Sequence, residues 1–141
     1  MIRVLLDTNI LLDLFLERPE FVRAAEEVWE ANRLGRFEGY VSALTPPTIY
    51  YVGKKIKGEA AMRFALIGLL TKFRVCMIDH ASLRAALALP LKDYEDAVQV
   101  ASAQANGLEA IVTRDLADFA GATLPVYSPA DFLMQLSNTE V

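Results

Sequence analysis

Short apolar segments rich in β-branched residues alternate with longer helical patterns along this sequence, and that alternation most constrains how the chain can fold. Several of the short segments are apolar throughout, which is typical of strands covered on both faces of a sheet. Strand, helix and strand in repeated order predict a parallel sheet with right-handed crossovers. The segments that predict strands are IRVLLD (2–7), YVSAL (40–44), RVCMID (74–79), EAIVT (109–113) and LPVYS (124–128).

The longer segments carry the start and stop signals of helices. One begins at Pro19 and ends at Gly35, and another opens with acidic residues and ends at Gly107. The segments that predict helices are 19–35, 59–73, 93–107 and 129–136. Because 141 residues, 54% of them hydrophobic, are enough for one continuous core, we expect a single domain over residues 1–141.

Cysteine usage and hydropathy indicate the compartment. Cys76 is the only cysteine, which excludes an internal disulfide, and its apolar neighbours favour a buried thiol. The first residues show no signal-peptide organisation, and the apolar stretches are too short to span a membrane. We therefore expect a cytoplasmic protein without a membrane partner.

Carboxylates follow the ends of two predicted strands. Asp7 ends the first strand and Asp115 follows the strand EAIVT, while Asp93 and Asp96 open the helix that leads into that strand. In an open parallel sheet, ligands collect outside the carboxyl ends of the strands. Several acids at one edge repel each other unless a cation lies among them, so the combination favours a metal site. The net charge of −4 does not argue against such a site, although it argues against a broad basic surface for nucleic acid.

Some of these acids also have a purely structural explanation. Asp93 is a good helix cap, and Asp115 is a residue type that commonly begins a turn. Asp7 is harder to explain in this way, because it lies between VLL and ILL and a partly buried carboxylate needs a charge, hydrogen bonds or a metal.

Two motifs resemble those of the PIN domain family, a metal-dependent ribonuclease fold that includes the VapC toxins of toxin–antitoxin pairs. They are LLDTNILLD (5–13) and LKDYEDAVQVASAQANGLEAIVTRDLADF (91–119), and the lengths between them also fit. The resemblance covers nearly the whole chain. It implies an α/β fold, a three-layer α/β/α sandwich with a five-stranded parallel sheet, and a single PIN-like domain.

The resemblance assigns roles to seven polar residues. Those that match the catalytic, metal-binding acids are Asp7, Asp96 and Asp115. Those that resemble the supporting residues are Asn9, Asp93, Thr113 and Asp118. Asp93 is also a candidate fourth metal ligand, because Thr48 stands where PIN nucleases commonly carry a Glu on the short helix after the second strand. A hydroxyl cannot replace the charge of that Glu, although it can hydrogen-bond a metal-bound water.

The resemblance implies hydrolysis of RNA phosphodiesters assisted by Mg²⁺ or Mn²⁺. Hard cations choose oxygen ligands, and His80 and Cys76 do not provide the nitrogen and sulfur set that zinc prefers. His80 follows a predicted strand, so we expect it to begin the next helix and not to act as a general base.

Basic residues are candidates for contacts with the RNA backbone. Lys54 and Lys55, in KKIKG, and Arg114, beside Asp115, could each contact phosphate. A solvated helix end and an ordinary surface arginine are the alternatives. The neighbouring Tyr50-Tyr51 pair could stack on bases, and packing at a core edge or subunit interface is the favoured alternative.

The resemblance also implies partners. The family places homodimer contacts on the helices near residues 44–72, and an antitoxin could insert a helix or an arginine near the acidic site.

Two other function classes remain open at this stage. The first is a catalytically weak or inactive PIN-fold module that binds RNA or protein, which the missing Glu would explain. The second is a phosphatase resembling the haloacid dehalogenase class, but that class needs a second aspartate where this chain has Asn9.

Overall fold

The structure, a computed structural model, describes residues 1–139 and contains a five-stranded parallel sheet between two layers of helices. The strands are β1 (Arg3–Leu6), β2 (Glu38–Ser42), β3 (Arg74–Cys76), β4 (Ala110–Val112) and β5 (Val126–Tyr127). The helices are α1 (Thr8–Phe15), α2 (Val22–Arg33), α3 (Thr45–Lys57), α4 (Glu59–Lys72), α5 (His80–Ala86), α6 (Tyr94–Ala105) and α7 (Pro129–Thr139), and a short 3-10 helix covers Leu116–Phe119. Positions 140 and 141 of the predicted domain lie outside the described residues.

The sheet has the strand order β3-β2-β1-β4-β5, so the chain leaves β1 in one direction and later returns to its other side. Val4 of β1 is paired with Gly39 of β2 on one side and with Ala110 of β4 on the other. The strand order therefore reverses between β1 and β4. In parallel sheets a crevice opens outside the carboxyl ends of the strands at this kind of position. The predicted fold class is confirmed.

Alternate residues of the central strands face the two helical layers. Val4 and Leu6 of β1 belong to the core that contains residues of α1, α2, α3, α4 and α7, while Leu5 faces the core formed with α6. All three side chains are fully buried, as a strand between two helical layers requires. Helix α5 packs on the outer side of α6 through Ala86.

Helix α1 is not among the helices predicted from the sequence. The helix begins at Thr8, and the backbone of Asp7 takes the extended conformation of an N-cap. Consecutive residues of α1 are buried, including Ile10 and Leu11. With only eight residues and a short apolar run, this segment cannot be distinguished from a buried strand by its sequence period. By contrast, α5 begins at His80, as predicted.

Within residues 1–139, no helix is both long enough and apolar enough to cross a membrane.

Close packing at Gly39 of β2 gives a test of the sheet that carries the site. A Cβ at Gly39 would lie 2.6 Å from Cε2 of Phe73 and 2.7 Å from Oδ1 of Asn32, which accepts a hydrogen bond from the Gly39 amide. We expect Gly39→Ala to lower the free energy of unfolding by ~2 kcal/mol, because the rigid, buried Phe73 ring must move.

The matched control is Gly68→Ala in α4, where an added Cβ meets no atom within 4 Å. This variant should gain ~0.5 kcal/mol from helix propensity. Urea denaturation, monitored by circular dichroism, measures the free energy of unfolding of both variants. Equal stabilities of the two variants would contradict the described packing of β2.

Candidate metal centre

A cavity of about 400 Å³ opens at the carboxyl ends of β1 and β4, where the strand order reverses. Six carboxylate residues, one arginine and several neutral polar residues line it. The lining residues are Asp7, Thr8, Asn9, Leu12, Arg18, Thr48, Val52, Asp93, Glu95, Asp96, Gln99, Asp115 and Asp118. The three predicted catalytic acids and the predicted supporting residues Asn9, Asp93 and Asp118 therefore share one cavity.

Asp7 is almost completely buried at the end of β1, with 3% of its surface exposed. It occupies the N-cap position of α1, but its side chain does not cap the helix. Instead, Oδ2 accepts a hydrogen bond from Oγ1 of Thr113 at 2.8 Å, and Oδ1 accepts one from Nε2 of Gln99 at 3.1 Å. Strand β4 and helix α6 thus hold the carboxylate from two sides with neutral donors.

Burial raises the pKa of Asp7 above its ordinary value. The hydrogen bonds from Gln99 and Thr113 oppose this shift by favouring the ionised form, while the charge of Asp115 adds to it. A buried carboxylate whose donors are all neutral keeps an uncompensated negative charge when it ionises. A cation in the cavity would supply the missing charge.

Asp115 is fixed by the loop that follows β4. Its amide donates to Oγ1 of Thr113 at 3.0 Å, and its Oδ2 accepts a hydrogen bond from Nδ2 of Asn9 at 3.2 Å. Thr113 therefore connects the backbone of one acid to the side chain of another. Asn9 and Thr113 contact the acids in the way that the resemblance implies for orienting residues.

Asp93 and Asp96 lie at the start of α6, three residues apart. Oδ1 of Asp93 accepts a hydrogen bond from the amide of Asp96 at 3.0 Å, so Asp93 is the N-cap that the structural explanation predicted. It also lines the cavity, so the capping role leaves the proposed ligand role open.

Asp96 has the most perturbed acid–base equilibrium of the site. Desolvation is the largest of the causes that raise its pKa from 3.8 to about 7, and the negative charges of Asp7, Asp93, Asp118 and Glu95 contribute in the same direction. All of these acids penalise ionisation of Asp96. Negative charge therefore exceeds positive charge in the cavity, where Arg18 is the cationic residue of the described lining.

The donor atoms of these residues are of the kind that bind a hard cation, although the side chains do not lie close enough together to form a complete metal site. Within residues 1–139, no three His, Cys, Asp or Glu side chains are arranged closely enough to hold a metal ion. Every candidate donor is nevertheless an oxygen, as Mg²⁺ and Mn²⁺ prefer. In addition, Oε1 of the buried Gln99 has no hydrogen-bond partner among the described residues. An orphaned buried acceptor beside three acids is a position where a cation or its water would be stabilised.

Thr48 lies on α3, at the wall of the cavity opposite α6. Its hydroxyl donates to the carbonyl of Leu44 at 2.9 Å, within its own helix. This residue therefore adds no charge to the site, and its proton is already engaged.

The three predicted RNA-binding residues have different surroundings. Nζ of Lys54 lies 5.3 Å and 5.0 Å from the ring centroids of Tyr50 and Tyr51, so this lysine packs along α3. Lys55 is exposed and follows the cavity-lining Val52 by three residues, which puts it on the same face of the helix. Arg114 is not an ordinary surface arginine, since its side chain is 24% exposed and ion-paired.

Sequence analysis missed three residues of this region. Gln99 binds Asp7, and the signal that could have found it is its position three residues after Asp96, on the same helical face. Asp13 and Arg18 form an ion pair at the rim of the cavity. Asp13 is an acid inside the apolar segment ILLDLF, but its second partner, Arg114, is 101 positions away and too distant in sequence for the motif to reveal it.

Comparisons with known proteins identify the fold and the family. The family model of the PIN domain matches residues 3–117. Among solved structures, a chain of a toxin–antitoxin complex from Klebsiella pneumoniae is 30% identical, with a TM-score of 0.67, and the match covers 89% of this chain and 97% of that one. No curated protein sequence matches the chain.

Two further structures share the fold at low identity. VapBC2 from Rickettsia felis, bound to a DNA fragment from its promoter, is 14% identical with a TM-score of 0.70 and covers 89% of this chain and 97% of its own. VapC20 from Mycobacterium tuberculosis, a toxin that cleaves the sarcin-ricin loop, is also 14% identical, with a TM-score of 0.62. The match covers 77% of this chain and 86% of that one.

The raised pKa of Asp96 makes metal-free stability depend on pH in a defined direction. Because the pKa of Asp96 is higher in the folded than in the unfolded state, its contribution to the free energy of unfolding is fully present below about pH 4. This contribution is lost as the pH rises toward 7. Asp96→Asn removes the group, so we expect this variant to be more stable than the wild type at pH 8. The gain should be ~1 kcal/mol, because solvent around the partly exposed Asp96 screens the repulsion.

Thermal and urea unfolding in EDTA between pH 4 and 8 measures this difference. Glu26→Gln, which removes an exposed acid of α2, is the matched control and should leave the pH dependence unchanged. An Asp96→Asn variant that is less stable than the wild type at pH 8 would show a structural role for this carboxylate.

Proposed function

The chain belongs to the PIN domain family, and we propose that it is a divalent-metal-dependent endoribonuclease of the VapC type that hydrolyses RNA phosphodiesters. The observation that carries this proposal is the convergence of Asp7, Asp96 and Asp115 on one cavity at the reversal point of the sheet. Within the described residues six carboxylates line this cavity against one cationic side chain, Arg18, and the buried acceptor Oε1 of Gln99 has no hydrogen-bond partner. These features suit a site that is completed by Mg²⁺ or Mn²⁺.

The chain's own residues would hold and orient the reacting groups. Asp7, Asp96 and Asp115 offer carboxylate oxygens, with Asp93 as a fourth candidate ligand. Thr113 binds the Oδ2 atom of Asp7, which fixes the direction of the other lone pairs of that carboxylate. A bound Mg²⁺ or Mn²⁺ supplies activation of a water nucleophile and neutralises charge that develops on the phosphate.

A catalytically weak or inactive module that binds RNA or protein is the second candidate. It is favoured by one observation, the hydroxyl of Thr48 at the position where the family commonly carries a Glu. Because this hydroxyl is bonded to the carbonyl of Leu44, it does not compensate for the missing charge. The phosphatase alternative is excluded by family membership.

We also propose a cognate antitoxin as a protein partner and the cytoplasm as the compartment. Structures that share this fold include toxin–antitoxin complexes, one of them 30% identical to this chain. An antitoxin that offers a cation to the acidic cavity would gain from the same uncompensated charge that favours a metal.

A homodimer is the proposed oligomeric state. Helices α3 and α4 form an antiparallel pair whose outer surface carries exposed apolar side chains. They are Tyr51 (61% exposed), Ile56 (64%), Phe64 (81%), Ile67 (68%) and Leu70 (50%). A patch of this kind on a soluble domain is typical of a protein interface.

Cleavage of RNA tests the proposed activity. Purified wild-type protein with Mn²⁺ or Mg²⁺ should cleave a mixed RNA pool, and EDTA should stop the reaction. Asp96→Asn should lose at least ~100-fold in rate, because it removes charge at the reacting phosphate, whereas Glu26→Gln should retain full activity. Cleavage that survives in Asp96→Asn would indicate a contaminant. Metal binding without cleavage by the wild type would favour the inactive module.

Sedimentation analysis tests the proposed dimer. We expect the wild type to sediment as a dimer and the double variant Phe64→Glu/Ile67→Glu as a monomer, since two carboxylates would be buried in the interface. Leu34→Glu, which alters an exposed leucine at the end of α2, is the control and should remain dimeric. A monomeric wild type, or a dimeric double variant, would contradict the proposal.

A further inference from the structure

A second buried carboxylate lies on α1, six residues after Asp7. Asp13 is 1% exposed, and both of its oxygens accept hydrogen bonds from arginines. Oδ1 accepts from Nη1 of Arg18 at 3.1 Å, and Oδ2 accepts from Nε of Arg114 at 2.8 Å. In addition, Nη2 of Arg114 lies 3.4 Å from Oδ1.

This arrangement holds more positive charge than the burial of Asp13 requires. One guanidinium that binds both oxygens is enough to neutralise a buried carboxylate. Here two guanidiniums share one carboxylate, so the group of Asp13, Arg18 and Arg114 has a net charge of about +1. A cationic group therefore borders the acidic cavity.

Both arginines also contact residues of the proposed metal centre. Nη1 of Arg18 lies 3.5 Å from Oδ1 of Asn9, and Nη1 of Arg114 lies 3.4 Å from Oδ1 of Asp115. Each guanidinium has its shortest bond to Asp13, at 3.1 Å for Arg18 and 2.8 Å for Arg114, whereas the ion pair of Arg114 with Asp115 is 3.4 Å long. Asp13 thus limits how closely the guanidiniums approach the acids. Without it, the arginines would pair more tightly with Asp115 and its neighbours and occupy the place of a cation.

Arg18 has the geometry of a residue that binds a ligand. It lines the same cavity as the acids, and its side chain is 33% exposed. Among the residues the structure describes, both hydrogen bonds of its side chain start from Nη1, which leaves Nε and Nη2 for another acceptor. Arg114 is more enclosed, with its guanidinium carbon 4.0 Å from the ring centroid of Phe21, and it braces the other side of Asp13.

We propose that Arg18 binds a phosphodiester group of the RNA substrate at the rim of the acidic cavity, and that buried Asp13 is the positioning residue that limits the approach of Arg18 and Arg114 to the metal-binding acids. The inference rests on the proposed ribonuclease function. The inference adds that Arg18 contacts a backbone phosphate next to the phosphate that is hydrolysed. Phosphate is the ligand class that fits, because a guanidinium presents paired donors to its oxygens.

RNA binding tests the role of Arg18. The probe is a fluorescent single-stranded RNA of mixed sequence, titrated by anisotropy with Ca²⁺ in place of Mg²⁺ and checked on a gel for integrity after each titration. Arg18→Ala should weaken binding by ~5-fold and lower the slope of log K against log salt by ~0.7, the value for one lost phosphate contact to a single strand. The matched control is Arg33→Ala, which removes the same charge from an exposed ion pair with Glu30 near the amino end of β2 and should bind as the wild type does.

The possible outcomes separate this inference from the proposed function. If the wild type cleaves RNA but Arg18→Ala binds like Arg33→Ala, the inference is wrong and the ribonuclease proposal stands. If the wild type neither cleaves nor binds RNA, both are wrong. An arginine site that serves an acidic protein partner would give the first of these results.

Metal affinity tests the role of Asp13. Isothermal titration with Mn²⁺ should show weaker binding to Asp13→Asn, because Arg114, released from Asp13, pairs more tightly with Asp115 than it does in the wild type. The double variant Asp13→Asn/Arg114→Gln should recover affinity, whereas a merely structural role of Asp13 would make the double variant worse. If Asp13→Asn does not fold, the comparison of Arg18→Ala with Arg33→Ala still decides the proposal.

Discussion

The buried carboxylate of Asp7 is the constraint on which the rest of the site depends. A carboxylate at the end of a central strand is costly to ionise, and a nearby arginine would be the simplest compensation. The fold instead supplies two neutral donors, Thr113 from the segment after β4 and Gln99 from α6. They hold the oxygens in place without cancelling the charge. Desolvation and, after it, the negative charges of the other acids raise the pKa of Asp96.

The two buried acids of α1 show how environment separates roles within one short helix. Asp7 faces neutral donors and other acids, so its charge is available to a cation that enters the cavity. Asp13 faces two arginines, so its charge is fully used inside the protein. Both are nearly inaccessible to solvent, yet one is suited to binding and the other to positioning. This separation keeps two cationic side chains beside an acidic site without neutralising it.

Much of the fold could be predicted from the sequence, because alternation of apolar strands with amphipathic helices reflects burial on two faces of a sheet. Helix α1 could not be predicted in this way, since an apolar segment of only eight residues is not distinguished from a buried strand by its sequence period. The acids of the cavity were foreseeable from their positions at strand and helix ends and from the family resemblance. Gln99 and Asp13 were not, because their importance comes from partners that only the tertiary structure brings close. Gln99 binds a residue 92 positions away, and Asp13 binds Arg114, 101 positions away.

The pairing of β1 with β4 also determines when the acidic cavity can exist during synthesis of the chain. Val4 pairs with Ala110, and Asp7 binds Thr113, so β1 can complete its contacts only after residues more than a hundred positions later have been synthesised. A nascent chain that emerges from its amino end can form the β1–β2 pair early, but it lacks β4 and the loop with Asp115 until synthesis is nearly complete. The acidic cavity is therefore absent while most of the chain is still being translated.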